Sequence, residues 1–290
     1  MKNVSYILKL IISLSQILSA CTEKMSVDLD DSYVRLVVYG EITNIHGVHS
    51  IRLTSSADYF SNKPAEGVYG ADVSIFDESN KNEYRLRENL ILPGVYETNS
   101  FFSGIAERTY RLQIENVDIN NDGIMESYSA TSYLPPVAGI DSIKLAYITN
   151  SFLSGWQVLL FAMDPADRKD FYVFKVYRNS DLLTDSLSEY YFRNDDLFNG
   201  NYTNGIVSQF LNDKKSNEKV KHGDTITFEL NGITQDYFTF LIEAQTEISP
   251  KTPLFSGPSS NVKSNISNNA LGYFTAYSLK RASIRVPQRN

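Results

Sequence analysis

Tyr110-Arg111-Leu112-Gln113-Ile114-Glu115 places an apolar side chain at every second position and a polar one between. Successive side chains of a strand point to opposite faces, so this stretch has the pattern of a half-buried β-strand. The period returns in Thr225-Ile226-Thr227-Phe228-Glu229-Leu230 and, less cleanly, in Val34-Arg35-Leu36-Val37-Val38-Tyr39. Residues 158–163 and 171–177 are apolar on both faces, which suits central strands covered on each side. Turn-forming clusters recur at Asn44-Ile45-His46-Gly47, residues 77–82, Pro93-Gly94, residues 120–123, residues 199–205 and His222-Gly223-Asp224. No long stripe at the helical period of 3.6 stands out. The expected fold is all-β and built of β-sandwiches.

Pro135-Pro136 is the strongest internal boundary, because adjacent prolines cannot continue a central strand. It separates an expected sandwich over residues 33–134 from a larger sandwich domain over 137–290. The second domain has long loops at residues 179–187 and 192–221, which read as insertions.

Composition narrows the function. The 290 residues carry 27 Lys+Arg against 34 Asp+Glu, for a net charge of −7 and a pI near 5.1. Such a chain has no bulk attraction for nucleic acid. With 42% hydrophobic residues, 19 Tyr and 16 Phe, it is too apolar to be disordered. Its single Cys excludes an internal disulfide, a Cys-based zinc site and an iron–sulfur cluster.

That Cys is placed informatively. Lys2 and Lys9 precede a short apolar run, which ends in Leu18-Ser19-Ala20-Cys21. A basic start followed by a short apolar stretch reads as a signal peptide over residues 1–20, too short to span a membrane. The terminal tetrapeptide resembles the lipobox of bacterial lipoproteins. The resemblance implies a thioether-linked diacylglycerol on Cys21, cleavage before it and acylation of the new amine. Removing residues 1–20 takes Lys2 and Lys9 with it and moves the net charge from −7 to −9. Residues 21–32 are acidic and poor in apolar side chains, so they read as a tether.

The stretch Gly70-Ala71-Asp72-Val73-Ser74-Ile75-Phe76-Asp77, with Tyr84-Arg85-Leu86, Pro93-Gly94-Val95-Tyr96 and Tyr110-Arg111-Leu112-Gln113-Ile114, resembles the prealbumin/Ig-like sandwich of carboxypeptidase-regulatory and Cna-B-type modules. A wider order of motifs adds to it: Val38-Tyr39-Gly40-Glu41-Ile42, Ile140-Asp141-Ser142-Ile143, Asn261-Val262-Lys263-Ser264-Asn265-Ile266 and Ala270-Leu271-Gly272-Tyr273-Phe274. With the lipobox, this order resembles the DUF4249 family of Bacteroidetes lipoproteins across nearly all the mature chain. Members of that family often lie beside TonB-dependent outer-membrane receptors. The resemblance therefore implies an accessory role at the outer membrane, on its periplasmic or cell-surface side. It supplies no catalytic residue.

Candidate sites are few. Asp118, Asn120 and Asp122, followed by Gly123, match the first half of a calcium loop. Ser129 stands where the bidentate acid is expected, and Glu126 is the substitute ligand. The same residues equally suit a hairpin turn between strands 108–117 and 126–133. His46 and His49 read as a metal pair or as solvated turn residues. Asp195-Asp196 read as a glycosidase pair or as solvated loop acids. Trp156, Tyr190, Tyr191, Phe192, Phe198 and Tyr202 read as core or as a surface for sugars or protein partners. There is no Gly-x-Ser-x-Gly elbow and no phosphate-binding loop. Asp141-Ser142-Ile143, Asp185-Ser186-Leu187 and Asp224-Thr225-Ile226 resemble Bacteroidetes O-glycosylation sites. The expectation is a non-enzymatic, lipid-anchored accessory or ligand-capture subunit for a TonB-dependent transporter. The alternatives are a surface hydrolase acting on glycan or peptide and a structural adhesin-like module.

Overall fold

A computed structural model describes residues 34–56, 64–150, 152–215, 218–249 and 262–288. The expected signal peptide, Cys21 and the tether 21–32 lie outside the described residues. From Val34 to Asn290 the chain clusters as one compact unit. Its first half holds β1 (Leu36–Thr43), β2 (Ser50–Ser55), β3 (Asp72–Asp77), β4 (Asn82–Arg85), β5 (Arg87–Glu88), β6 (Val95–Glu97), β7 (Arg108–Val117) and β8 (Glu126–Leu134). After Pro135-Pro136 come β9 (Ser142–Thr149), β10 (Ser154–Phe161), β11 (Phe171–Arg178), β12 (Asp181–Leu182), β13 (Tyr191–Asn194), β14 (Ile206–Asn212) and β15 (Thr225–Ile233). Helix α1 (Gln235–Ile248) and β16 (Leu271–Arg285) follow. The fold is all-β in its core elements, with sheets packed as sandwiches and, among the described residues, no closed barrel.

The largest sheet runs β12-β11-β15-β16-β1-β2-β6-β5, with β13 also on β11. Two smaller sheets face it, β4-β3-β7-β8 and β14-β10-β9. The alternation read from sequence determines which side chains meet between them. Leu36, Val38 and Ile42 of β1 meet Tyr110, Leu112 and Ile114 of β7 in the first core. Trp156, Val158 and Leu160 of β10 meet Phe174, Ile226 and Phe228 in the second. Strand β11 is covered on both faces, as its apolar run suggested: Tyr172, Phe174 and Val176 enter the second core, and Phe171 and Val173 a third.

The longest strand, β16, belongs to both sandwiches. Its first half pairs parallel to β1, from Val37↔Leu271 to Thr43↔Tyr277. Its second half pairs antiparallel to β15, from Gly232↔Ser278 to Thr225↔Arg285. The first core accordingly includes Ile266, Ala270, Phe274 and Ala276 beside residues 36–134. Gly272 permits the close parallel approach: its φ is +93°, and a Cβ there would stand 1.9 Å from Val38 O. Just upstream, Asn265 imitates a strand. Its Nδ2 donates to Phe274 O (2.8 Å) and its Oδ1 accepts the Phe274 N–H (3.0 Å).

Helix α1 forms where the sequence shows no long stripe of helical period. Thr234 caps it, accepting the Tyr237 N–H at 3.2 Å. Tyr237 and Leu241 are its buried residues, and they pack against Phe171, Val173, Ile233, Tyr273 and Tyr277 on the outer face of the large sheet. The buried stripe spans only about one turn, too short to show as a long periodicity.

Candidate functional site

Strand β13 pairs with the first half of β11, from Phe171↔Asn194 to Phe174↔Tyr191. The chain then turns through residues 195–205 before entering β14. Asp195 organises the turn: its carbonyl accepts the Phe198 and Asn199 N–H groups (2.8 Å each), and its Oδ2 accepts the Asp170 N–H (2.7 Å). Thr203 fastens the far end. Its Oγ1 donates to Leu160 O (2.8 Å) and accepts the Ala162 N–H (3.0 Å).

Between this turn and α1 lies an open groove of about 580 Å³. Phe192, Phe198, Tyr202 and Phe238 line it, with Arg193, Asn194 and Asn201 among its polar residues. Phe192 meets Phe238 edge-on, with centroids 5.6 Å apart and planes at 87°. Phe238 rests in turn on Phe171 at 5.1 Å, and Phe198 stacks with Tyr172 at 6.4 Å. Phe192, Phe198 and Phe238 are therefore braced by neighbouring rings, and a braced aromatic loses little entropy on binding. Arg193 and Tyr202 are the titratable side chains of the lining.

Three carboxylates gather behind the groove. The Tyr172 hydroxyl lies 2.7 Å from Asp164 Oδ1 and 2.9 Å from Asp170 Oδ2. Arg168 Nε bonds both oxygens of Asp170, at 2.8 and 3.0 Å. Burial pushes the Asp164 carboxyl up; the Tyr172 bond opposes this, while the charges of Asp170 and Asp195 add to it. Burial likewise raises the Tyr172 hydroxyl. Asp164, Asp170 and Asp195 are all buried, so the cluster holds the turn in place beneath the rings.

A second polar cluster joins the two halves of the large sheet. Glu41 of β1 accepts the Tyr277 hydroxyl (2.8 Å) and Lys175 Nζ (3.4 Å) on Oε2, and the Tyr39 hydroxyl (2.6 Å) on Oε1. Burial alone would raise the Glu41 carboxyl, but the Lys175 charge and the two hydroxyls outweigh it and hold it below its ordinary value. Beside it, Glu229 takes Arg281 (2.7 Å) and the Tyr177 hydroxyl (3.3 Å). Sequence reading missed this cluster, although a lone Lys in the apolar run of β11 was its visible sign.

The structure brings some predicted residues together and separates others. Phe192, Phe198 and Tyr202 converge in the groove, where they gain Phe238 from the unforeseen helix. Trp156 is core, and Tyr190 is half-buried near Lys175. Asp195 and Asp196 diverge: the first is fully buried, and the second pairs with Lys169 at 3.0 Å at the surface. His49 is buried and not a solvated turn residue. Its Nδ1 accepts the Thr43 N–H (3.2 Å), so Nε2 carries the proton and donates to Ile45 O (2.9 Å). Burial lowers its pKa. His46 turns away to Phe101 O.

In the expected calcium loop, Asp118 Oδ1 and Oδ2 accept the N–H groups of Asp122 (3.0 Å) and Gly123 (2.9 Å). Asp122 Oδ1 accepts Ile124 N–H at 2.8 Å, and Asn120 Nδ2 donates to Asp122 Oδ2 at 2.9 Å. Glu126 bonds the Tyr128 hydroxyl. The oxygens thus serve the hairpin that joins β7 to β8. Among the described residues, no group of three or more His, Cys, Asp or Glu side chains is arranged to hold a metal ion. No helix among them is long and apolar enough to cross a membrane.

A family model described as "Domain of unknown function (DUF4249)" matches residues 22–283. No curated protein matches the chain. Among solved structures, a DUF4785 family protein from Legionella pneumophila is similar, with 10% identity and a TM-score of 0.28. The match covers 70% of this chain and 54% of that one, so the chain spans about half the length of that protein.

Proposed function

We propose a capture role for this protein and proceed from its family: the chain belongs to the DUF4249 family. The protein is a lipid-anchored, non-catalytic subunit of the outer membrane that holds a ligand for a TonB-dependent transporter. The observation that carries this reading is the braced aromatic groove between residues 192–207 and α1. Ring faces stack on the C–H faces of sugars, and the amides of Asn194 and Asn201 with the Arg193 guanidinium suit hydroxyl and carbonyl groups. The groove is the size of a short oligosaccharide. Its lining supplies rings, amides, a guanidinium and the Tyr202 phenol, a set that suits holding a ligand.

Two experiments test it. Calorimetry against a panel of neutral and acidic oligosaccharides and short peptides should give binding to at least one class. Phe238→Ala should then weaken that binding about tenfold, equivalent to ~1.4 kcal/mol. A protein that binds none of the panel, or one indifferent to Phe238→Ala, refutes the groove. Purification from detergent-solubilised membranes should recover a β-barrel partner, and recovery without one refutes the transporter role.

A further inference from the structure

The chain enters the first sandwich at an end crowded with exposed apolar side chains. Ser56 N–H donates to Arg35 O (2.8 Å) and Arg35 N–H to Ser56 Oγ (3.0 Å), so the entry to β1 lies beside the exit of β2. Leu53 N–H donates to Gly94 O (2.7 Å) and Ser55 N–H to Glu66 O (2.9 Å), which brings loops 89–94 and 66–70 to the same end. The β7–β8 hairpin joins them: Ser55, Tyr69, Asn116 and Met125 line one hollow. At this end Leu90 is 97% exposed, Ile91 87%, Leu92 52%, Tyr69 64%, Ile124 66% and Met125 60%.

These tips are held, not frayed. Asn89 Oδ1 accepts the N–H groups of Ile91 (2.9 Å) and Leu92 (3.0 Å), and Leu92 O accepts Val95 N–H (3.1 Å). A turn of this kind is satisfied by polar residues, Gly or Pro. Three consecutive large apolar side chains displayed on it have no role in the turn itself. An apolar patch built from several loops at one end marks a contact surface.

We propose that this end of the first sandwich contacts a zwitterionic lipid bilayer, with Leu90-Ile91-Leu92 and Ile124-Met125 dipping into its interface. The occupant follows from where the chain arrives. The described fold starts at Val34, at this end, and Cys21 lies 13 residues upstream. At ~3.5 Å per residue the intervening chain reaches at most about 45 Å. The contact rests on the lipid anchor of the proposed function: a lipid on Cys21 keeps this end near the membrane at high effective concentration, where even shallow insertion is favoured. Glu66, Glu88, Asp118 and Asp122 at this end outnumber Arg35 and Arg87 and disfavour anionic headgroups, hence a zwitterionic surface.

The test couples the mature chain, residues 21–290, through Cys21 to a maleimide-bearing lipid in phosphatidylcholine vesicles. This makes it independent of native lipidation, which a mass measurement reads separately. Ile91→Trp reports the proposed contact. Phe101→Trp reports the opposite end, where Phe101 is 86% exposed beside His46. The native Trp156 is buried and gives a constant background. The expected result is a blue shift for Ile91→Trp and at least a twofold quenching by brominated acyl chains, with neither at Phe101→Trp. Emission from Ile91→Trp that matches the lipid-free protein overturns the proposal, as does an equal response at both ends. A blue shift already present without lipid and rising with protein concentration assigns this end to a second copy, and also overturns it.

Discussion

Lys175→Met tests the polar seam between the two halves of the large sheet. The substitution keeps the stem and deletes the charge. The ammonium lies 3.4 Å from Glu41 Oε2, and the two side chains are 11% and 20% exposed. At an effective dielectric of ~20, two unit charges at that distance attract by about 5 kcal/mol, much of which offsets the dehydration of both groups. Removing one partner of a buried pair costs about 3–5 kcal/mol, because the other charge is left buried. Glu41 retains the hydroxyls of Tyr39 and Tyr277 and is partly wet, so the expected loss is about 2–3 kcal/mol. In a chain of this size that lowers Tm by roughly 4–10 °C.

The pH dependence gives a second, independent check. In the wild type the Glu41 carboxyl is held below its ordinary value of 4.5. Its contribution is therefore present above that value and lost as pH falls through the lowered one. In Lys175→Met burial acts with less opposition, the carboxyl moves up, and protonation at falling pH relieves the variant. The stability gap, measured by urea denaturation, should narrow between pH 7 and about pH 4.5. A gap under ~0.5 kcal/mol at pH 7, or one that stays constant with pH, refutes the reasoning.

Three further perturbations probe other parts of the fold. Gly272→Ala forces a Cβ against Val38 O in a left-handed backbone and should cost about 3 kcal/mol or more, seen as a lowered urea midpoint. Asn265→Ala removes both bonds to the Phe274 backbone and should cost about 2 kcal/mol by the same measurement. Asp118→Ala should cost about 1 kcal/mol through the lost turn bonds.

Alternation made the strands legible. Tyr110, Leu112 and Ile114 point inward from β7, and Ile226, Phe228 and Leu230 from β15, whose other face is also buried from Glu229 onward. The doubly apolar run of β11 also foretold its cover on both sides. Helix α1 was less visible, since Thr234 signals a cap but only Tyr237 and Leu241 become fully buried. The double membership of β16 was not legible at all. Nothing in Leu271–Arg285 distinguishes a strand that changes partner midway, because pairing is a property of distant chain. The groove was half legible: the aromatics near residues 190–202 stood out, while Phe238 arrives from an element 36 residues on from Tyr202.

The parallel pairing of β1 with β16 has a kinetic consequence. Leu279 and Asn44, bonded through the Leu279 N–H, are 235 residues apart. Loop closure over such a span must precede the reward of contact, so the first core acquires its wall from Phe274 and Ala276 late. Until then the edge of β1 that β16 pairs is open, a condition that favours aggregation. A chain delivered across a membrane from its N-terminus cannot close this core until β16 has also emerged.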